Sequence, residues 1–133
     1  MEIKDKVVVI TGANGGIGSA IARKLDKEGC FLVLAARTIE SLTDLKKDLK
    51  TNYLEIEMDV ANSKSVSDAF ITILNTVESI DVLVNVAGVM PLTYLKNLHL
   101  EEWLNTIEVN VKGILRTLHG ALPSMKKQNK GHI

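Results

Sequence analysis

Several things are scarce in this chain, and each scarcity removes a class of function. Cys30 is the only cysteine, so no intrachain disulfide is available. It sits in the apolar run Cys30 to Ala36, where it reads as a small packed hydrophobe; a reactive thiol would need an exposed, electropositive setting. Net charge is absent as well: 16 Lys and Arg offset 16 Asp and Glu, which leaves no field to attract nucleic acid or an acidic membrane. The longest apolar stretches, such as Val7 to Ile10 and Val82 to Val84, fall far short of the roughly 20 residues that span a bilayer. Residues 1–6 lack the apolar core and cleavage site of a secretion signal, so a cytoplasmic location is expected. His99, His119 and His132 are too scattered for a metal site. No repeat, low-complexity tract or Pro-rich linker divides the chain, and residues 1–133 read as a single domain.

What is present is a regular alternation. Short apolar runs at Lys6 to Thr11, Phe31 to Ala35, Tyr53 to Met58 and Asp81 to Val86 are separated by stretches of helical period. The first, second and fourth runs are nearly continuous Val, Leu and Ile, which suits strands covered on both faces. The expected architecture is α/β, a doubly wound parallel sheet. A first helix from Ile17 to Gly29 would bury Ile17, Ile21 and Leu25. A second, Ile39 to Leu49, would bury Leu42, Leu45 and Leu49. A third, capped by Asn62 or Ser63, would bury Val66, Phe70, Ile73 and Val77. From Leu100 to Lys127 one long pattern places Leu104, Ile107, Val111, Ile114, Leu118, Leu122 and Met125 on a stripe expected to pack on the sheet. Trp103 and Leu115 widen that stripe enough for a second contact with another subunit. Gly113 and Gly120 interrupt it, and Pro123 is expected to kink or end the helix.

The sharpest local signal is Thr11-Gly12-Ala13-Asn14-Gly15-Gly16-Ile17-Gly18, placed where the first strand gives way to the first helix. Four glycines in seven positions let a phosphate approach the backbone, and the start of a helix offers unpaired N–H groups with a favourable dipole. The spacing departs from G-x-G-x-x-G, and no Gly-Lys-Ser/Thr follows, so a nucleoside-triphosphatase loop is excluded. The loop reads as a cradle for a dinucleotide pyrophosphate, with Gly12, Asn14, Gly15, Gly16, Ile17 and Gly18 in contact. In such sites the end of the second strand selects the cofactor: a carboxylate takes the ribose 2′-hydroxyl, an arginine takes a 2′-phosphate. Here that strand ends in Leu34-Ala35-Ala36-Arg37, which favours NADP(H) over NAD(H) unless Arg37 is simply a solvated residue opening the second helix.

With these motifs in order, the chain closely resembles the short-chain dehydrogenase/reductase family from its first strand to its last residue. Thr11 to Gly18 is similar to the family's T-G-x-x-x-G-x-G, Asp59-Val60 to its acidic pair after the third strand, Asn85-Val86-Ala87-Gly88 to its N-N-A-G, and Asn110 to its helix asparagine. The resemblance implies that Asp59 holds the adenine amino group and Val60 packs beside it. It also implies that Asn85, Ala87 and Gly88 line the nicotinamide-ribose side, and that Asn110 is a catalytic kink residue holding a water in a proton relay. Val86 replaces the second asparagine, and His99 stands where relatives carry a Ser or Thr cap.

The resemblance further implies hydride transfer between the nicotinamide and a carbonyl or alcohol substrate, with a tyrosine as the acid and a lysine four residues on. No Y-x-x-x-K occurs, since Tyr53 is followed at that distance by Glu57 and Tyr94 by Leu98, and the catalytic serine is also absent. Gly131-His132-Ile133 resembles the opening of a fifth strand, so the domain reads as incomplete and inactive alone. Two classes stay open: an oxidoreductase whose Ser/Tyr/Lys part lies elsewhere, or a non-catalytic dinucleotide-binding or regulatory fragment. A homo-oligomer through Leu100 to Lys127 is expected.

Overall fold

The computed structural model describes residues 2–133. Four strands, β1 (Val7–Thr11), β2 (Phe31–Ala36), β3 (Tyr53–Glu57) and β4 (Val82–Asn85), form one parallel sheet in the order β3-β2-β1-β4. Each strand after the first follows a crossover, and the chain changes direction between β1 and β4, where β1 has already been flanked by β2. Such a reversal opens a crevice at the carboxyl ends of the central strands. His132 adds a parallel bridge to Val82: the Leu83 N–H donates to the His132 carbonyl at 3.0 Å and the His132 N–H to that of Asp81 at 2.9 Å.

Alternation along the strands divides the core into two. Val8, Ile10, Leu32 and Leu34 pack with Ala22, Leu42 and Leu45 on one face. Val9, Val33, Ala35 and Leu83 pack with Val66, Phe70, Ile73, Ala121 and Met125 on the other. Both faces are therefore dry, as the unalternating runs demand, and each large aliphatic side chain so buried contributes about 1.5–3 kcal/mol.

Helix α1 spans Gly16–Lys27. Ile17 was expected on its buried stripe but is 70% exposed; Gly18, Ala22 and Asp26 face inward instead, flanked by Ile21 and Leu25. The reason is proximity, because the helix start lies against loop backbone and only small residues fit beneath it. Asp26 is an unanticipated buried carboxylate. Its Oδ1 accepts the backbone N–H groups of Lys50 (2.9 Å) and Thr51 (2.8 Å) and the Thr51 hydroxyl (2.7 Å). Burial pushes its pKa up, yet those hydrogen bonds outweigh it and hold the carboxyl below its ordinary value. The same capture explains why the second helix is shorter than its pattern. A 3-10 turn at Ile39–Leu42 leads into α2, Thr43–Lys46, and the chain then turns to meet Asp26. Leu42 and Leu45 are buried as expected, and Leu49 packs from outside the helix.

Helix α3 (Ser63–Thr76) buries Val66, Phe70 and Ile73 as expected and is capped by the Asn62 side chain accepting the Ser65 N–H at 3.0 Å, but it ends before Val77, which is extended and only partly buried. The last segment does not follow its pattern. It comprises α4 (Leu100–Ile107), a π-helical turn (Glu108–Lys112) and α5 (Gly113–Lys127), running on without a break. The π turn inserts one extra residue, which rotates everything beyond it by about 100° relative to an uninterrupted helix. Leu104 and Ile107 precede the turn, on a helix that buries no residue, and are exposed. Within and beyond the turn Val111, Ile114, Leu115 and Leu122 are exposed as well, whereas Gly113, Thr117, Ala121, Ser124 and Met125 face the sheet and Leu118 packs partly against it. Gly113 and Gly120 are contact points, not breaks: a Cβ on Gly113 would lie 2.9 Å from Val60 Cγ2, and one on Gly120 would overlap the Phe70 ring. Pro123 lies inside α5, and the helix continues past it to Lys127. His99 caps α4 without a side-chain hydrogen bond. Among the described residues no helix is long and apolar enough to cross a membrane, and no cluster of His, Cys, Asp or Glu is arranged to hold a metal.

Candidate functional site

A cavity of about 560 Å³ opens at the carboxyl ends of the strands, at the β1–β4 reversal. Its floor is the glycine loop. Gly12 has φ +64°, and a Cβ there would stand 2.9 Å from the N and Cα of Ala87, so both backbone conformation and close approach require glycine. The Gly15 N–H closes the turn onto the Gly12 carbonyl at 3.0 Å, and α1 starts at the next residue. No side chain caps that helix and no acidic residue occupies its first turn, leaving its leading N–H groups without a protein acceptor. Gly16 differs from its neighbours, since a Cβ there would touch nothing within 4 Å. The fold therefore has no packing use for this glycine, which lines the cavity.

The walls come from three strand ends. Arg37 follows β2, exposed, at the rim. After β3, Met58, Asp59, Val60 and Ala61 form one wall. There the Asp59 N–H donates to Ser65 Oγ (2.9 Å), and its Oδ1 accepts the Ala61 N–H (3.0 Å), which fixes the carboxylate beside the cavity. After β4, Val86, Ala87, Gly88 and Val89 form the other, backed by Asn105 and Val109 of the last helical segment. Thr11 Oγ1 accepts the N–H groups of both Val86 (3.1 Å) and Ala87 (3.2 Å). Among the described residues, Arg37 and Asp59 are the only charged side chains in the lining.

Of the residues singled out from sequence, Gly12, Asn14, Gly15, Gly16, Ile17, Arg37, Asp59, Val60, Ala87 and Gly88 line this cavity. Gly18, Asn85 and Asn110 do not. Gly18 is buried against the glycine loop, where a Cβ would overlap the Gly12 carbonyl oxygen. Asn85 turns to the last helix, its Oδ1 accepting the Thr117 hydroxyl at 2.7 Å. Asn110 lies in the π turn, with Oδ1 accepting the Val89 N–H (2.8 Å) and Nδ2 donating to the Val89 carbonyl (2.7 Å). It thus holds a wall residue by both backbone groups. Ala36, Met58, Ala61, Val86, Val89, Asn105 and Val109 line the cavity without having been singled out for it. Only Asn105 and Val109, four apart and just before Asn110, carried a usable signal.

A family model described as short chain dehydrogenase matches residues 6–133. An uncharacterized oxidoreductase of Staphylococcus epidermidis is 36% identical over 132 residues, covering 99% of this chain and 57% of that protein. One of Staphylococcus saprophyticus is 40% identical over 132 residues, covering 98% and 54%. The chain thus spans about half the length of the curated relatives it matches. Among solved structures, a metagenomic short-chain oxidoreductase in complex with NADP superposes with a TM-score of 0.92 at 33% identity, covering all of this chain and 62% of that one. An alcohol dehydrogenase from Thermococcus sibiricus complexed with 5-hydroxy-NADP gives 0.86 at 36% identity, covering 96% and 56%.

Proposed function

Since the chain belongs to the short-chain dehydrogenase family, we propose that it supplies the cofactor site of an NADP(H)-dependent oxidoreductase acting on a carbonyl or alcohol. The observation that carries this reading is the uncapped start of α1 at Gly16, a cavity-lining glycine that no packing contact requires. A dinucleotide pyrophosphate fits there, against the N–H groups of Gly16, Ile17 and Gly18. The donor set suits the rest of the molecule: Arg37 for a 2′-phosphate, Asp59 for an adenine amino group with Val60 beside it, and Ala87 and Gly88 where backbone must approach the nicotinamide ribose. When bound, the nicotinamide would give or take a hydride. The residues here would bind and orient it, and Asn110 holds Val89 of the cavity wall in place. None of the lining side chains is an acid suited to protonating an alkoxide, so this reading assigns cofactor binding, not proton delivery, to this part of the site.

Gly16→Val tests the reading. The fold has room for the added side chain and valine is the better helix former, so the unfolding midpoint should hold steady or rise slightly. NADPH affinity by calorimetry should fall at least about tenfold, or about 1.4 kcal/mol. Unchanged affinity would remove the pyrophosphate from this turn.

The exposed apolar face of α4 and α5 supports pairing with a second copy. Sedimentation equilibrium should give at least a dimer, and Ile107→Glu should shift it to monomer; a wild-type monomer at micromolar concentration ends that part of the proposal.

A further inference from the structure

Arg116 makes more contacts than a surface ion pair requires, and they tie Val60 of one cavity wall and Ser63 at the start of α3 to Glu108 of the π turn. Its Nε donates to Ser63 Oγ (2.9 Å), and its Nη1 to the carbonyls of Val60 (3.0 Å) and Glu108 (3.3 Å), while Nη2 pairs with Glu108 Oε1. Val60 belongs to the wall that carries Asp59. Glu108 opens the π turn, and its carbonyl already accepts the Gly113 N–H that closes the wide turn. Two residues along, Asn110 grips Val89 of the opposite wall. A helix-stabilising pair for Glu108 is already present in Lys112, four residues on at 2.8 Å. Arg116 is eight residues away, outside the spacing at which helical side chains ordinarily pair, and only a planar fork with five donors satisfies acceptors in these separate directions.

We propose that Arg116 is a positioning residue that fixes the distance between the Asp59 wall and the π turn bearing Asn110, and so sets the span of the dinucleotide site. The proposal rests on the dinucleotide reading above. A ligand that touches both walls depends on their separation; one that touches a single wall does not.

Two variants, Arg116→Met and Arg116→Lys, test it with two readouts. In the ligand-free chain, hydrogen exchange at the Ala61 and Val89 amides, one from each wall, should accelerate about tenfold together in Arg116→Met. Arg116→Lys, which retains charge but not the fork, should recover less than half of that loss on a logarithmic scale. NADPH affinity should fall about tenfold in Arg116→Met, while adenosine 2′,5′-bisphosphate, which occupies one wall, should lose less than twofold. Unchanged Val89 exchange, full rescue by lysine, or equal losses for the two nucleotides would each overturn the proposal. Failure of the wild type to bind either nucleotide would instead refute the dinucleotide reading, and the exchange readout would still decide the coupling of the walls.

Discussion

Gly18→Ala is expected to cost about 3 kcal/mol, the upper end for one forced methyl in a closed site, and to abolish measurable NADPH binding at the same time. An alanine Cβ would overlap the Gly12 carbonyl oxygen and lie 2.9 Å from its carbon and 3.0 Å from Ala13 Cα. All three atoms are backbone, so no side chain can swing aside. Either α1 lifts from the sheet or the loop moves, and the loop is the cavity floor. Gly12 cannot yield easily, with its own φ of +64° and Ala87 pressed against it. Urea denaturation would measure the stability loss, and a melting point lower by roughly 10 °C is the thermal equivalent for a domain of this size. A variant within about 0.5 kcal/mol of wild type would show that the start of α1 can shift to make room for a methyl.

Arg37→Glu should invert cofactor choice. Under the proposed reading the guanidinium meets a dianionic 2′-phosphate in a charge-assisted pair, and glutamate turns that attraction into repulsion while offering an acceptor to a 2′-hydroxyl. NADPH affinity should fall about a hundredfold, or about 2.7 kcal/mol, and NADH affinity should hold or improve. Arg37 is exposed at the rim, so the NADPH preference of the wild type should also weaken as salt rises. Isothermal titration of both cofactors with both proteins decides the matter; an unchanged preference for NADPH takes Arg37 out of cofactor selection.

These two residues also show where sequence was informative. Strand runs, their order and the glycine turn are local signals, written in consecutive residues, and they point to the cavity floor and to Arg37 at its rim, while Asp59 is marked by the family resemblance. Long-range partners were not so written. The family resemblance implies that Asn85 lines the cavity beside Ala87 and Gly88, yet its side chain turns toward Thr117, 32 residues away. The apolar stripe from Leu104 to Leu122 assumed a uniform 3.6-residue repeat, and a π turn at Glu108–Lys112 shifted the part beyond it, so that Ile114 and Leu122 face outward while Thr117 and Ala121 face the sheet. Asp26 escaped notice for the opposite reason: a charge on a helix is ordinarily solvated, and nothing near it in sequence announces that Lys50 and Thr51 come to it.

The Thr11 hydroxyl holds the two amides that begin the upper wall, across 75 and 76 residues of sequence. Assembly of the rim and completion of strand pairing are consequently a single event, and a chain with β4 undocked or out of register offers no half-made version of the site. Any ligand of this cavity would accordingly act as a selective chaperone for the finished sheet, stabilising it in proportion to the logarithm of its concentration, and protein made in cofactor-starved cells would meet proteases with that protection withdrawn.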